Sequence, residues 1–410
     1  MSAVATENTA PAGAAPAVTE SAGHGNKAHS DGGWDPTQKG FVPVQTRSGR
    51  FKSTVASDFP DVLGIEAEWK LSPVKLFRAL IDDELDGSSY EFAASDAPGA
   101  SVEWIDRTDV RIGSTGTPEE KASANAWSSF DQALLITVAG DDHVDFTVAR
   151  STLGSSPRAG HTMIVAKANS RATVVLQNTG AAFLSENVEI IVEDGAHLTI
   201  VSVQEWDEDA IHLSSHFATV GRDARLKHIV VSLGGKVVRV NPSAHLIASG
   251  AEAELFGLYF ADAGQHLEQR VYVEHVADHT RSRVNYKGAL NGAGAHTVWV
   301  GDVLIGTKAA GTDTYEQNRN LVLSEGTRAD SIPNLEIETG DILGAGHASA
   351  TGRFDDEQLF YLQARGITER EARRLVVLGF LSEIVQKVDP GALQDRLKIA
   401  IEAELAGVAA

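Results

Sequence analysis

The central part of the chain, from about residue 130 to 345, is a succession of short apolar runs rich in Val, Ile, Leu and Thr. Residues 162–166, 172–176, 188–192, 198–203, 226–232 and 271–274 are such runs, and Gly, Asn and Asp separate them. Runs of that length bounded by turn residues predict strands rather than helices. The turns carry a repeat. Gly195-Ala196-His197-Leu198, Asp223-Ala224-Arg225-Leu226 and Gly250-Ala251-Glu252-Ala253 share a turn followed by an apolar step, recurring roughly every 27 residues. Arg171-Ala172-Thr173-Val174 extends the pattern upstream. A period within ~20–50 residues predicts a solenoid, and strand-length runs make it a β-helix. A β-sandwich is the competing all-β reading.

On either side the period changes. Ser72-Pro73 predicts a helix start, with Val74, Phe77, Leu80 and Ile81 at helical spacing behind it. Thr368-Glu369-Arg370-Glu371 has the spacing of a capping box. Ala372, Leu375, Val376, Phe380, Ile384 and Val385 follow as the predicted buried stripe. Asp389-Pro390-Gly391 ends that helix, and Leu393, Leu397 and Ile401 mark a last one. The first 40 or so residues are rich in Ala, Gly, Thr, Ser and Pro and cannot offset the entropy of ordering. Trp34 and Phe41 mark where the chain is expected to begin docking. The expected organisation is a disordered tail (1–45), an N-terminal mixed α/β region (46–130), a β-helix core (131–354) and a C-terminal helical region (355–410). The fold class is mainly β.

Composition narrows the partners. The net charge of −21 repels nucleic acid and an anionic membrane surface. No run approaches ~20 consecutive apolar residues, so no transmembrane helix is expected. The N-terminus lacks the basic-then-apolar order of a secretory signal, which predicts a cytoplasmic location. The chain has no cysteine, so it can form no disulfide and supply no thiolate. Any metal must be held by His, Asp, Glu or backbone.

Few motifs carry chemistry. Gly301-Asp-Val-Leu-Ile-Gly306-Thr307-Lys308 has the wrong order for a P-loop, which needs Lys directly after the second Gly and a helix behind it. No nucleotide is expected on this chain. His212 and His216, and likewise His275 and His279, lie four apart; on strands that spacing is about 13 Å, too far for one ion. They read as structural or surface histidines. Glu205, Asp207, Glu208 and Asp209 around Trp206 read as a solvated acidic loop. His347 differs: Gly344, Ala345, Gly346, Ala348 and Ser349 flank it, and small residues admit a close ligand or backbone. From the residues alone it remains either a loop histidine or an accessible ligand.

Residues 331–385 carry a resemblance. They read Ser331-Ile332-Pro333-Asn334-Leu335-Glu336-Ile337, Gly340-Asp341-Ile342, Gly346-His347-Ala348, then Gly352-Arg353-Phe354-Asp355-Asp356-Glu357-Gln358-Leu359-Phe360-Tyr361-Leu362 and Ala364-Arg365-Gly366-Ile367. With Tyr286-Lys287-Gly288-Ala289-Leu290 and Gln317-Asn318-Arg319-Asn320-Leu321 upstream, this closely resembles the core of the SufB/SufD family of iron–sulfur cluster assembly proteins. The resemblance implies a right-handed parallel β-helix flanked by helical regions, and a scaffold rather than an enzyme. Within the family the chain is similar to the SufD side, because the SufB member uses a cysteine near this histidine as a cluster ligand. His347 matches the family histidine, which implies a cluster or iron ligand facing a SufB–SufD interface. Counted from Leu335, the chain carries one residue more before His347 than the family pattern, and Ala345 stands where some members have Cys.

Implied partners are a SufB-like subunit and a SufC-like ATPase. The ATPase would bind the C-terminal helical region through Phe360, Tyr361, Arg365, Gly366 and Ile367. The implied cofactor is a transient Fe–S cluster shared with SufB. Reduced flavin is associated with some such complexes, and this sequence spells no flavin site. A homodimer is the alternative assembly for the isolated chain. The alternative function is a β-helix carbohydrate-active enzyme, which needs paired carboxylates or a metal-bound acid in a cleft.

Overall fold

The computed structural model describes residues 47–353, 356–388 and 391–407. The expected tail, with Trp34 and Phe41, and the Asp389-Pro390 break lie outside these residues. The described chain winds between two nine-stranded sheets, its strands alternating from one to the other. From His143–Ser151 to Ile342–Arg353, one sheet receives every second strand, each parallel to its neighbours. The strands between them, through Arg328–Ile337, build the second sheet in the same way. A sandwich would pair consecutive strands antiparallel. The parallel ladders make the core a β-solenoid, each rung giving one strand to each sheet.

The sequence repeat is the rung. Arg171, His197, Arg225, Glu252 and Arg281 are register partners on adjacent strands. The residues after the first four, Ala172, Leu198, Leu226 and Ala253, stack as a column in the lumen, each at most 2% exposed. Strands buried on both faces read as near-continuous apolar runs, because the outer faces are covered too.

The N-terminal region covers the second sheet. It contributes α1 (Arg78–Asp82) and α2 (Lys121–Ser129). Trp69, Phe77, Leu80, Trp127 and Phe130 pack on Ile211, Leu213 and Phe217. The first sheet is covered by two C-terminal helices. After α3 (Asp356–Gln363) come α4 (Glu369–Val385) and α5 (Gly391–Gly407). Val377, Leu381, Ile384, Leu397 and Ile401 lie on Val201, Val203, Ile229, Val231 and Phe256. Burying each such side chain contributes about 1.5–3 kcal/mol. The helices therefore flank the solenoid lengthwise instead of closing its end. The buried stripe of α4 runs through Ala372, Val377, Leu381, Ile384 and Val385, while Leu375 is 41% exposed. The expected stripe is rotated because α4 must meet both α5 and the sheet. The capping box is half formed: Thr368 Oγ1 accepts the Glu371 N–H at 3.3 Å.

One turn column shows how the rungs fit together. Gly140, Asn169, Gly195, Asp223, Gly250, His279 and Gly311 all have positive φ. Glycine and a side-chain-bearing residue alternate along the column. A Cβ on Gly195 would lie 2.4 Å from Asn169 Oδ1, one on Gly250 2.1 Å from Asp223 Oδ1, and one on Gly311 2.5 Å from His279 Nδ1. Each side chain occupies the space over the next rung's turn, which only glycine leaves free. Gly250→Ala is expected to destabilise by about 1–3 kcal/mol, from left-handed strain plus the clash. Adding Asp223→Gly should recover the clash portion only. Urea unfolding of the two variants measures this, and equal stability of Gly250→Ala and wild type would refute it.

The two ends of the solenoid differ. At the N-terminal end, short antiparallel strands pair with the edges: Ala93–Ala94 on His143–Ser151 and Ala100–Asp106 on Gln132–Val138. At the other end, Arg328–Ile337 and Ile342–Arg353 are the last strands, and among the described residues nothing pairs with their outer edges. Ile337 and Leu343 are exposed there, Leu343 at 80%.

Candidate functional site

The strand Thr312–Val322 inverts the usual pattern of the solenoid. Its lumen-facing residues Thr312, Thr314, Glu316, Asn318 and Asn320 are all polar and all buried. Most are saturated. Asn318 Nδ2 donates to Tyr259 Oη at 2.8 Å, Tyr259 Oη to Asn320 Oδ1 at 2.7 Å, and Ser331 Oγ to Asn318 Oδ1 at 2.6 Å. Glu316 is the exception. Its side chain is 1% exposed and neither carboxylate oxygen has a hydrogen-bond partner. The Asn334 backbone N–H is near enough to favour the ionised form, but by less than burial disfavours it. Burial, reinforced by the negative Asp302, pushes the carboxyl up to about 8. Gly301 on the facing sheet leaves the room it occupies: a Cβ there would be 2.4 Å from Glu316 Oε2.

His347 sits one rung further out, on the last strand, and is the register partner of Glu316. Residues in register on parallel strands share a face, so both side chains belong to the lumen side. His347 Nδ1 lies 3.7 Å from Glu316 Oε1, and the ring is 44% exposed at the open end. The ladder between the last two strands of this sheet carries one irregularity before His347. Thr312 pairs with Ile342 and Asp313 with Gly344, so Leu343 stands out as a bulge. A bulge takes up one residue without shifting the pairing beyond it, and His347 keeps its register over Glu316.

Other residues singled out in the sequence have different surroundings. His212, His216 and His275 are buried, and each ring nitrogen has a polar partner: Glu186 and Gln204, Ser214 and His228, Thr280 and Ser282 respectively. His279 occupies the turn column. Residues 301–308 form the end of a strand and its turn. Asp207, Glu208 and Asp209 are exposed, and Glu205 pairs with Arg396 of α5. In the stretch 286–288, Tyr286 faces the lumen, Lys287 pairs with Glu383 of α4 at 2.5 Å, and Gly288 makes room for the Tyr259 ring.

On α3, Phe360 and Tyr361 are exposed at 72% and 56%, while Leu359 is buried. Leu362 and Ile367 are half-buried. The Arg365 guanidinium stacks on the Tyr361 ring at 3.6 Å. Gly366 has φ +84°, its N–H bonds to Gln363 O, and the Ile367 N–H bonds to Leu362 O. That is a Schellman ending, which accounts for Gly366 and Ile367 as a helix stop. Among the described residues no helix is long and apolar enough to cross a membrane.

Sequence reasoning passed over Glu316. The available signal was the polar period of two from Thr312 to Asn320, the reverse of a lumen-facing strand. That site lies within the region that comparison with known proteins identifies. The family profile described as "SUF system FeS cluster assembly, SufBD core domain" matches residues 149–380. An iron-sulfur cluster assembly SufBD family protein of Mycobacterium bovis is 48% identical over 352 residues, covering 83% of this chain and 89% of its own. One from Mycobacterium leprae is 46% identical over 368 residues, 87% and 94% of the two chains. One from Staphylococcus haemolyticus is 28% identical over 210 residues, 51% and 45%. The chain belongs to the SufBD family of iron–sulfur cluster assembly proteins.

Proposed function

We propose that this chain is the SufD-type scaffold subunit of a cytoplasmic SUF complex and has no enzymatic activity of its own. It pairs through the open end of its solenoid with a SufB-like subunit, and a transient Fe–S cluster is built at that junction with His347 as this chain's ligand. The carrying observation is the position of His347 in a cysteine-free chain: exposed on a last strand whose outer edge no described residue pairs with, over a buried carboxyl with no hydrogen-bond partner. A neutral imidazole is a sound iron donor where no thiolate exists. Unpaired strand edges favour strand addition by a second chain. A SufC-like ATPase docks on the C-terminal helices, where the exposed Phe360, Tyr361 and Arg365 offer an aromatic and cationic surface. No residues are assigned to a flavin. Membership of an assembly family weighs against the carbohydrate-active alternative.

Co-purification at native expression with mass identification should recover a SufB-like chain and an ATPase; recovery of a homodimer alone would refute the pairing. In the recovered complex, His347→Ala should leave assembly intact and cut retained iron and sulfide severalfold. Wild-type cluster acquisition by that variant would place every ligand on the partner.

A further inference from the structure

We propose that Glu316 and His347 together form a two-ligand site for ferrous iron at the mouth of the solenoid lumen, with Glu316 the anionic half. This rests on the reading of His347 as a ligand and adds a donor that the sequence did not single out. Three observations converge on it. The two residues are register partners on adjacent parallel strands, with His347 Nδ1 and Glu316 Oε1 3.7 Å apart. That separation is too long for a hydrogen bond. It is a spacing that two ligands of one ion can hold, since metal–donor bonds are about 2.0–2.2 Å each. Both oxygens of Glu316 are unpartnered although its side chain is 1% exposed. A buried polar group left unpaired calls for a missing water or ion. Finally, Gly301 on the facing sheet keeps clear the space the carboxylate occupies.

The donor set suits the ion. Imidazole with carboxylate binds divalent iron without any thiolate. Among the described residues no group of three His, Asp or Glu is placed to hold a metal. The remaining coordination positions are therefore open to water, sulfide or a donor from a partner chain. A site with few protein ligands holds its ion loosely, as an iron that is to be handed into a cluster must be held. The lumen-side placement of Glu316 means that iron bound there would be shielded on one side by Trp299 and Gly301 and open on the side of His347.

The test uses the full-length chain, metal-stripped and anaerobic, titrated with Fe(II) alone by equilibrium dialysis. Glu316→Gln, Glu316→Asp and His347→Ala are compared, each checked for a single cooperative unfolding transition and a wild-type circular dichroism spectrum. The expected result is one Fe(II) per wild-type chain, with affinity lowered about tenfold or more in Glu316→Gln and in His347→Ala. Glu316→Asp, which withdraws the carboxylate, should fall between. The inference is overturned if Glu316→Gln binds as wild type while His347→Ala does not; His347 then remains a ligand and the proposed function stands. It is also overturned if wild type and all variants bind alike, which puts the iron elsewhere and removes His347 with it. Absence of binding by the wild-type chain overturns it too, since both donors are already in place without a partner. The role of His347 is then decided by cluster retention in the complex.

Discussion

Glu268→Gln is expected to cost the fold about 3–5 kcal/mol, the usual loss when one member of a buried charge network is removed. Glu268 is 0% exposed on the outer face of the second sheet, beneath the N-terminal region. It accepts from Arg239 Nε at 3.0 Å, Arg270 Nε at 2.5 Å and Ser72 Oγ at 2.6 Å, and His266 Nε2 lies at 2.9 Å. Arg239 is tied further to Glu120 and stacks on Trp69 at 4.5 Å. Glutamine keeps the shape but removes the charge, leaving Arg270 buried with no carboxylate. Burial alone would raise the Glu268 carboxyl, but the Arg270 and Arg239 charges overcome it and hold it well below its ordinary value. A carboxyl depressed in this way stabilises the fold above the unfolded value of 4.5 and loses that contribution as pH falls through its folded value. Urea unfolding at pH 7 checks the magnitude. Hydrogen exchange should locate the loss around Ser72, where the network pins the N-terminal region to the sheet. A cost under ~1 kcal/mol would mean that desolvation had already cancelled the network.

Glu316→Gln should act in the opposite direction, stabilising the metal-free chain at alkaline pH. The wild-type carboxyl is raised from 4.5 to about 8 by burial and by Asp302. Between those values the folded chain keeps a proton that the unfolded chain has released. Stability therefore falls with rising pH across that window, by about 1.4 kcal/mol per unit at most. The contribution is intact below pH 4.5, and above about 8 the cumulative loss reaches ~4–5 kcal/mol. Glutamine does not ionise, so its stability curve should stay flat through the same window. Urea midpoints from pH 5 to 9 separate the two, and parallel curves for wild type and variant would show that the carboxyl titrates normally.

Much of the core was legible because the solenoid repeats itself. The turn-then-apolar step at Arg171, His197, Arg225 and Glu252 recurs where the rungs stack, so the sequence period and the register coincide. Less was legible where an element answers to two neighbours. Leu375 has the spacing of a core residue in α4 but faces out, since the helix turns toward both α5 and the sheet. The open end could not be read from the helical texture after residue 355, which says that helices form and not where they lie. His347 was found through its small neighbours and the family pattern. Glu316 was not, because a buried carboxyl has no local signature; only its alternation with Thr314 and Asn318 betrays an inward side chain. The Leu343 bulge has no signal of its own in the sequence, because it is defined by the ladder that surrounds it.

The alternation along the turn column sets a parity for the whole solenoid. Because Asn169, Asp223 and His279 each overlie a glycine in the next rung, neighbouring rungs are unlike and the repeating unit is a pair. Excising or duplicating a single rung would bring either two side chains or two glycines face to face at the join. The first collides, and the second leaves a void beside two flexible turns. A pair of rungs can be added or removed with the phase preserved on both sides. A chimera joined out of phase should therefore fail at that one corner while its strands still pair, and one joined in phase should not.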